Sequence, residues 1–193
     1  PNIACITSMD ADHLDIYGDN KLMIEGFKAY AAKIRDNGYL IIKEGLLDQF
    51  TISEYMALTN RGIQVLEFGG QNAQICISNV RVEAGKYVFD YAGIDQNISD
   101  VVMSMPGRHN VENACVAITV GILFGIAQDD IKEALSGFKG IQRRLERIID
   151  REDLVYIDDY AHHPGELKVA IDAARTLYPD KKLTGIFQPH LFS

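Results

Sequence analysis

Residues 155–166 read Val155-Tyr156-Ile157-Asp158-Asp159-Tyr160-Ala161-His162-His163-Pro164-Gly165-Glu166. An apolar and aromatic run with β preference feeds two carboxylates, a tyrosine and two histidines, and a proline follows. Pro164 suits the first position of a helix, where its missing N–H would be unbonded anyway. Beyond it Leu167, Ala170, Ile171, Ala174 and Leu177 recur at helical spacing. The segment therefore reads as a buried strand that ends in a polar loop and launches a helix. In open α/β sheets that carboxyl edge is where ligands bind. Packing alone does not call for five polar or titratable groups at one such edge.

Working outward, the strand–loop–helix pattern recurs at the start of the chain. Ile3 to Thr7 is strand-like, and Ser8 to Asp15 places three carboxylates around His13. Met23, Phe27, Tyr30, Ala31 and Ile34 then mark an amphipathic helix, which Asn37-Gly38 closes. Tyr39 to Ile42 is a short buried strand, so the chain opens as parallel α/β architecture. From Gly62 to Ser104 four apolar or alternating runs separated by glycines predict a small antiparallel section. Within it Val80–Val82 and Tyr87–Phe89 form a hairpin. A buried helix is expected from Val111 to Phe124, ended by Gly125, and a shorter one capped by Asp129 or Asp130 and running through Leu135. The basic connector Ile141-Gln142-Arg143-Arg144-Leu145-Glu146 is the expected domain boundary. A second α/β unit follows it, with a further strand from Leu183 to Phe187.

The chain has 193 residues, 19 Lys and Arg against 27 Asp and Glu, and a net charge of −8. That balance argues against a nucleic-acid partner, because phosphate backbones are bound by concentrated Lys and Arg. Cys5, Cys76 and Cys115 are far apart in apolar runs, which predicts buried free thiols rather than disulfides or a metal site. Ala114 to Ala127 falls short of the roughly 20 residues of a membrane span. A soluble cytoplasmic protein is expected, with no membrane partner.

Several groups can carry chemistry. His13 among Asp10, Asp12 and Asp15 could hold a divalent metal, although the same pattern suits a solvated loop. In Gly107-Arg108-His109-Asn110 the glycine permits close backbone approach and Asn110 is a good N-cap, so the helix start is a potential anion site. Asn113, one turn on, offers a side-chain amide matching the edge of an adenine; a solvent-facing position is equally compatible. Arg143-Arg144 presents guanidinium forks for phosphate or carboxylate. Asp158 and Asp159 could hold ribose hydroxyls or a metal, while Tyr160, His162 and His163 could orient a substrate or move a proton. No GxxxxGK[ST], GxSxG or CxxC occurs.

Taken together, these segments resemble the Mur ligases. Asp12-His13-Leu14-Asp15 with Tyr17 is similar to their DHLD-x-Y segment, and Gly107-Arg108-His109-Asn110-Val111-Glu112-Asn113-Ala114 to their G-x-HN-x-x-N-A segment. Arg143-Arg144-Leu145-Glu146 is similar to the RR[FL]E linker. Asp158 to Pro164 and Phe187-Gln188-Pro189-His190 resemble the DDY[GA]HHP and FQPH motifs.

The resemblance implies an α/β protein: a parallel-sheet ATPase-type central domain (1–141, partial), then the start of a Rossmann-like C-terminal domain (142–193) that binds the amino acid. The P-loop would precede Pro1, and this piece alone would be inactive. It further implies ATP and Mg2+ as cofactors, and UDP-N-acetylmuramate and L-alanine as substrates joined through an acyl phosphate. By the same resemblance His13 would bind magnesium. His109, Asn110, Asn113, Arg144 and Asp159 would bind ATP, and Tyr160, His162 and His163 would form the catalytic group. Leu191-Phe192 replaces the Arg-Tyr that often follows FQPH. Two alternatives stay open: a ligase that joins a tripeptide to UDP-N-acetylmuramate, and a non-catalytic nucleotide-binding module.

Overall fold

The computed structural model describes residues 1–10, 19–69, 73–105, 107–162 and 164–188. The order of elements is β1 (Ile3–Ile6), α1 (Asn20–Ala32), β2 (Tyr39–Lys43), a 3-10 turn (Leu46–Gln49), α2 (Ile52–Thr59), β3 (Gln64–Phe68), β4 (Cys76–Glu83), β5 (Lys86–Gly93), β6 (Gln96–Met103), α3 (Arg108–Leu123), α4 (Gln128–Gly137), β7 (Glu146–Asp150), β8 (Val155–Asp158) and α5 (Pro164–Leu177). These form two compact units. One comprises Pro1–Ile77, Tyr91–Asn97 and Cys115–Ile126, the other Ser78–Asp90, Ile98–Ala114 and Ala127–Ser193.

In the first unit β1, β2 and β3 form a parallel sheet in that order. Leu40, Ile41 and Ile42 of β2 are all fully buried, as a central parallel strand covered on both faces requires. Ala4, Ile6, Ala31, Ile34, Leu58 and Ile63 join Leu40 and Ile42 in one apolar cluster. The α1 stripe is narrower than expected: Met23 and Ala31 are buried, but Tyr30 is exposed. The sequence reading contains no helix at α2. A capping box starts it, with the Thr51 hydroxyl accepting the Glu54 N–H at 3.2 Å and Glu54 accepting the Thr51 N–H at 2.7 Å. β3 belongs to the parallel sheet, not to the antiparallel section expected from Gly62 onward, because its residues pair in register with β2.

Also in the first unit, the Tyr91 hydroxyl lies 3.0 Å from Thr119 Oγ1, which donates to the Cys115 carbonyl at 2.8 Å. Burial pushes the Tyr91 phenol up to about 12. Gly125 (φ +74) terminates the chain segment that follows α3: its N–H bonds to Ile122 O at 2.9 Å and the Ile126 N–H to Gly121 O at 3.0 Å. That pair of bonds is a Schellman motif. Of the three cysteines, only Cys115 is buried; Cys5 and Cys76 are half-buried free thiols, since both sit at less enclosed strand positions.

β4, β5 and β6 form a three-stranded sheet in sequence order. Its two-residue turns, Ala84-Gly85 and Ile94-Asp95, have positive φ at both positions. This is the I′ geometry that joins antiparallel neighbours. In the second unit, the Asp90 carboxylate takes the Asn79 side-chain amide at 2.5 Å and the Asp100 N–H at 2.8 Å. Those bonds hold its pKa below the usual range, the Asp100 bond contributing most. The cap of α4 is Ala127, without a side-chain bond; Asp129 and Asp130 lie in the first turn instead, where they favour the helix dipole.

β7 and β8 are antiparallel, with a register shift between Arg147 and Ile149. β8 is only half-buried, since Tyr156 keeps 49% of its surface exposed. Leu183 to Phe187 is not a strand; no neighbouring strand pairs with it among the described residues, and Ile186 is 98% exposed. A backbone ladder needs such a partner, whatever the local β preference. Among the described residues no helix is long and apolar enough to cross a membrane.

The Tyr91–Thr119 bond gives a stability test. Thr119→Val leaves a buried phenol without its acceptor and should cost about 1–3 kcal/mol, whereas Tyr91→Phe should cost nearer 1 kcal/mol, as Thr119 keeps its own acceptor. Urea unfolding of both variants measures this, and equal costs would contradict the assignment.

Candidate functional site

Three segments of the second unit meet at the sequence-predicted residues. The first is the start of α3. Gly107 has φ +100, and a Cβ there would stand 2.5 Å from His109 Cε1 and 3.1 Å from Leu145 Cδ1. Only glycine allows the imidazole to fold back over this backbone and the leucine to pack beside it. The helix begins at Arg108, and the Asn110 N–H bonds to the Gly107 carbonyl at 3.0 Å. Asn110 is therefore a buried residue of the first turn, not the expected cap, because Gly107 starts the turn earlier. Asn113 is exposed, and its amide reaches Asn110 Oδ1 at a long 3.4 Å.

The second segment is the connector. Arg143 and Leu145 both adopt left-handed backbone, φ +57 and +49. Glu146 accepts the Arg143 N–H at 2.8 Å, and the Arg144 N–H bonds to Ile141 O at 3.2 Å. Leu145 is 4% exposed. This alternation buries the leucine and turns both arginines outward.

The loop between β8 and α5 is the third. Asp159 receives the Leu145 N–H on one carboxylate oxygen and the Ala161 N–H on the other, each at 2.7 Å. The Tyr160 N–H donates to Arg143 O at 2.8 Å, and the Arg143 guanidinium lies 4.6 Å from the centre of the Tyr160 ring. The rings of Tyr160 and His162 meet edge to face at 5.3 Å. Glu166, in the first turn of α5, accepts the His162 N–H at 3.1 Å with one oxygen and Arg144 Nη1 at 3.4 Å with the other.

His109, Arg144, Asp159, Tyr160 and His162 thus share one neighbourhood. His109 keeps a solvent-facing edge, yet the atoms packed round it lower its pKa, and Asp159 and Glu112 offset this in part. A neutral imidazole, an outward guanidinium and an aromatic rim can hold an anionic or planar ligand and orient a nucleophile. Asn113 stands apart from the bonds that join the other segments. His13 and His163 lie outside the described residues, as do Pro189 and His190 of the last motif. Among the described residues no group of three His, Cys, Asp or Glu side chains could hold a metal.

Glu166 and Leu145 are the residues that the sequence reading left without a role here. Glu166 had a signal, a glutamate in the first turn beside an expected helix start. Leu145 had none, because its part is played by a backbone N–H.

The profile of the Mur ligase middle domain matches residues 1–121, and that of the Mur ligase glutamate ligase domain matches residues 143–190. The UDP-N-acetylmuramate--L-alanine ligase of Flavobacterium psychrophilum is 42% identical over 193 residues, all of this chain and 40% of that protein. The protein of the same name from Porphyromonas gingivalis W83 is 35% identical, again over the whole chain and 41% of its own length. The chain therefore spans about 40% of the curated relatives it matches. Among solved structures, MurF from Acinetobacter baumannii superposes with a TM-score of 0.73 at 22% identity, covering 94% of this chain and 38% of that one. An FPGS–AMPPCP complex superposes at 0.77 and 20% identity, covering 93% and 44%. These two likenesses agree on an α/β fold with a parallel sheet. With both profiles matched and the first covering well over half the sequence, the chain belongs to the Mur ligase family.

Proposed function

We propose that this sequence forms part of an ATP-dependent ligase that joins L-alanine to the carboxylate of UDP-N-acetylmuramate through an acyl phosphate. The observation that carries the reading is the Asp159 carboxylate, which bonds the connector at Leu145 and its own loop at Ala161 within electrostatic reach of His109 at the α3 start. The names of the relatives at 34–42% identity support the choice of substrates. Residues 1–141 would then belong to the ATP-binding domain and 142–193 to the amino-acid-binding domain.

ATP supplies the phosphoryl group that activates the sugar carboxylate. Arg144 would bind its phosphates, since the guanidinium is outward and forked. His109, Asn110 and Asn113 would border the base, and Asp159 would fix the connector from which Arg144 projects. Tyr160, His162 and His163 would face the amine and the acyl group, where positioning and charge stabilisation carry the chemistry. Mg2+ would be held by His13. The reaction would take place in the cytoplasm, where these precursors would be made.

Three outcomes test the site. Asp159→Ala frees Leu145 and should lower kcat/KM of the full-length ligase about 10²-fold, the loss expected when a reacting group moves by about 1 Å. Phosphate release with UDP-N-acetylmuramate, ATP and L-alanine measures it, and a variant with unaltered kcat/KM would contradict the role of Asp159. The same assay with a tripeptide in place of L-alanine separates the two acceptors. Gly107→Ala forces the His109 ring away and strains the backbone by about 1–3 kcal/mol; the KM for ATP should rise while that for L-alanine moves little.

The third outcome concerns pH. Burial favours neutral His109, so its contribution to stability is complete above the ordinary value of about 6.5 and is lost as pH falls through the lowered folded value. Urea midpoints should therefore fall more steeply on acidification for the wild type than for His109→Gln. Parallel profiles would exclude this assignment.

A further inference from the structure

Glu166 bridges Arg144 of the connector and His162 of the β8–α5 loop. Its Oε1 faces Arg144 Nη1 at 3.4 Å, and its Oε2 takes the His162 N–H at 3.1 Å while lying 3.5 Å from His162 Nδ1. It stands in the first turn of a 14-residue helix, so it is a fixed post between a connector and a loop. The Arg144 side chain is 52% exposed and that of Glu166 35%, which makes their ion pair weak and readily exchanged for a stronger anion.

We infer that Glu166 is a positioning residue that couples the two substrates: phosphate drawn to Arg144 takes the guanidinium from Oε1 and so strengthens the hold of the carboxylate on His162. This rests on the ligase reading above, which puts the nucleotide at Arg144 and the amino acid at His162. The physical basis is charge. While Arg144 is bound, the guanidinium neutralises part of the carboxylate; once Arg144 turns to phosphate, Glu166 loses that neutralisation and presents more negative charge to the imidazole. His162 is then held by both its backbone N–H and its ring, in the orientation its 3.0 Å contact with Tyr160 O already favours. By linkage the effect is mutual: an occupied amino-acid site strengthens nucleotide binding by the same factor.

The test is the affinity of the full-length ligase for L-alanine, measured by calorimetry with and without a non-hydrolysable ATP analogue, both with UDP-N-acetylmuramate present. For the wild type the analogue should tighten L-alanine binding about five-fold or more, within the usual range of such couplings. Glu166→Gln keeps the side-chain size but not the charge and should bring the ratio close to one. Glu166→Asp retains the charge on a shorter stem and should restore part of it, which guards against a Glu166→Gln variant that folds poorly. A merely structural role would weaken both affinities and leave the ratio alone, and that result would overturn the inference. So would a wild-type ratio of one. If the wild type ligates no amino acid at all, the ligase reading itself fails, whatever Glu166 does.

Discussion

One carboxylate fixes the connector and the β8–α5 loop of the second unit. Asp159 sits just beyond β8 and accepts two backbone N–H groups, one from its own loop and one from Leu145, fourteen residues earlier. Bonds of a backbone N–H to a charged acceptor contribute about 1.5–3 kcal/mol each. Left-handed backbone at a non-glycine residue costs of the same order, about 1–3 kcal/mol. The Leu145 bond and the Leu145 strain are therefore near balance, and the connector keeps its conformation because the chain is over-determined there. The Arg143 N–H, the Arg143 carbonyl and the buried Leu145 side chain supply the remaining constraints.

The first unit is held in a different way. Its parallel strands are buried through continuous apolar contact, with Leu40, Ile41 and Ile42 sealed from water. There a lost methyl group would leave a void, and no charged bond compensates. Around Asp159, by contrast, Arg143, Arg144 and Tyr160 remain exposed, and what orders them is the hydrogen bonding of backbone atoms. A unit stabilised by its core tolerates change at its surface. An edge ordered by a few polar bonds does not, which is why strain and titratable groups concentrate at the connector and its loop.

This difference also governs what was legible in the sequence. The opening strand, α1, β2 and the β4–β5 hairpin follow from side-chain period and turn chemistry, which are local properties. α2 was equally local in its Thr51–Glu54 box but short, with a single buried residue, Leu58. β3 and the run from Leu183 to Phe187 look alike in sequence, and only a partner separates them: β3 has β2 to pair with, the later run has no strand beside it among the described residues. At the site, residue types pointed to Arg144, Asp159, Tyr160 and His162, since polar and titratable groups at that density have few structural uses. The bonds that bring them together were not legible, because a leucine's N–H or an arginine's carbonyl leaves no mark on residue choice. The early start of α3 was hidden for the same reason, resting on the Gly107 carbonyl.

The described carboxylates of the site are already engaged: Asp158 lies 3.8 Å from Arg143 Nε, Asp159 holds two amides, and Glu166 faces Arg144 and His162. An anion that reaches Arg144 therefore enters by exchange and not by filling a vacant cationic pocket. Exchange is cheap where the displaced pair is exposed, about 0–1 kcal/mol, and expensive where the carboxylate carries backbone amides, because those donors would be left unsatisfied. Arg144 can thus be recruited without disturbing Asp159. The guanidinium changes partner while the connector beneath it stays fixed, and an edge built this way can bind charge without unfolding the turn that presents it.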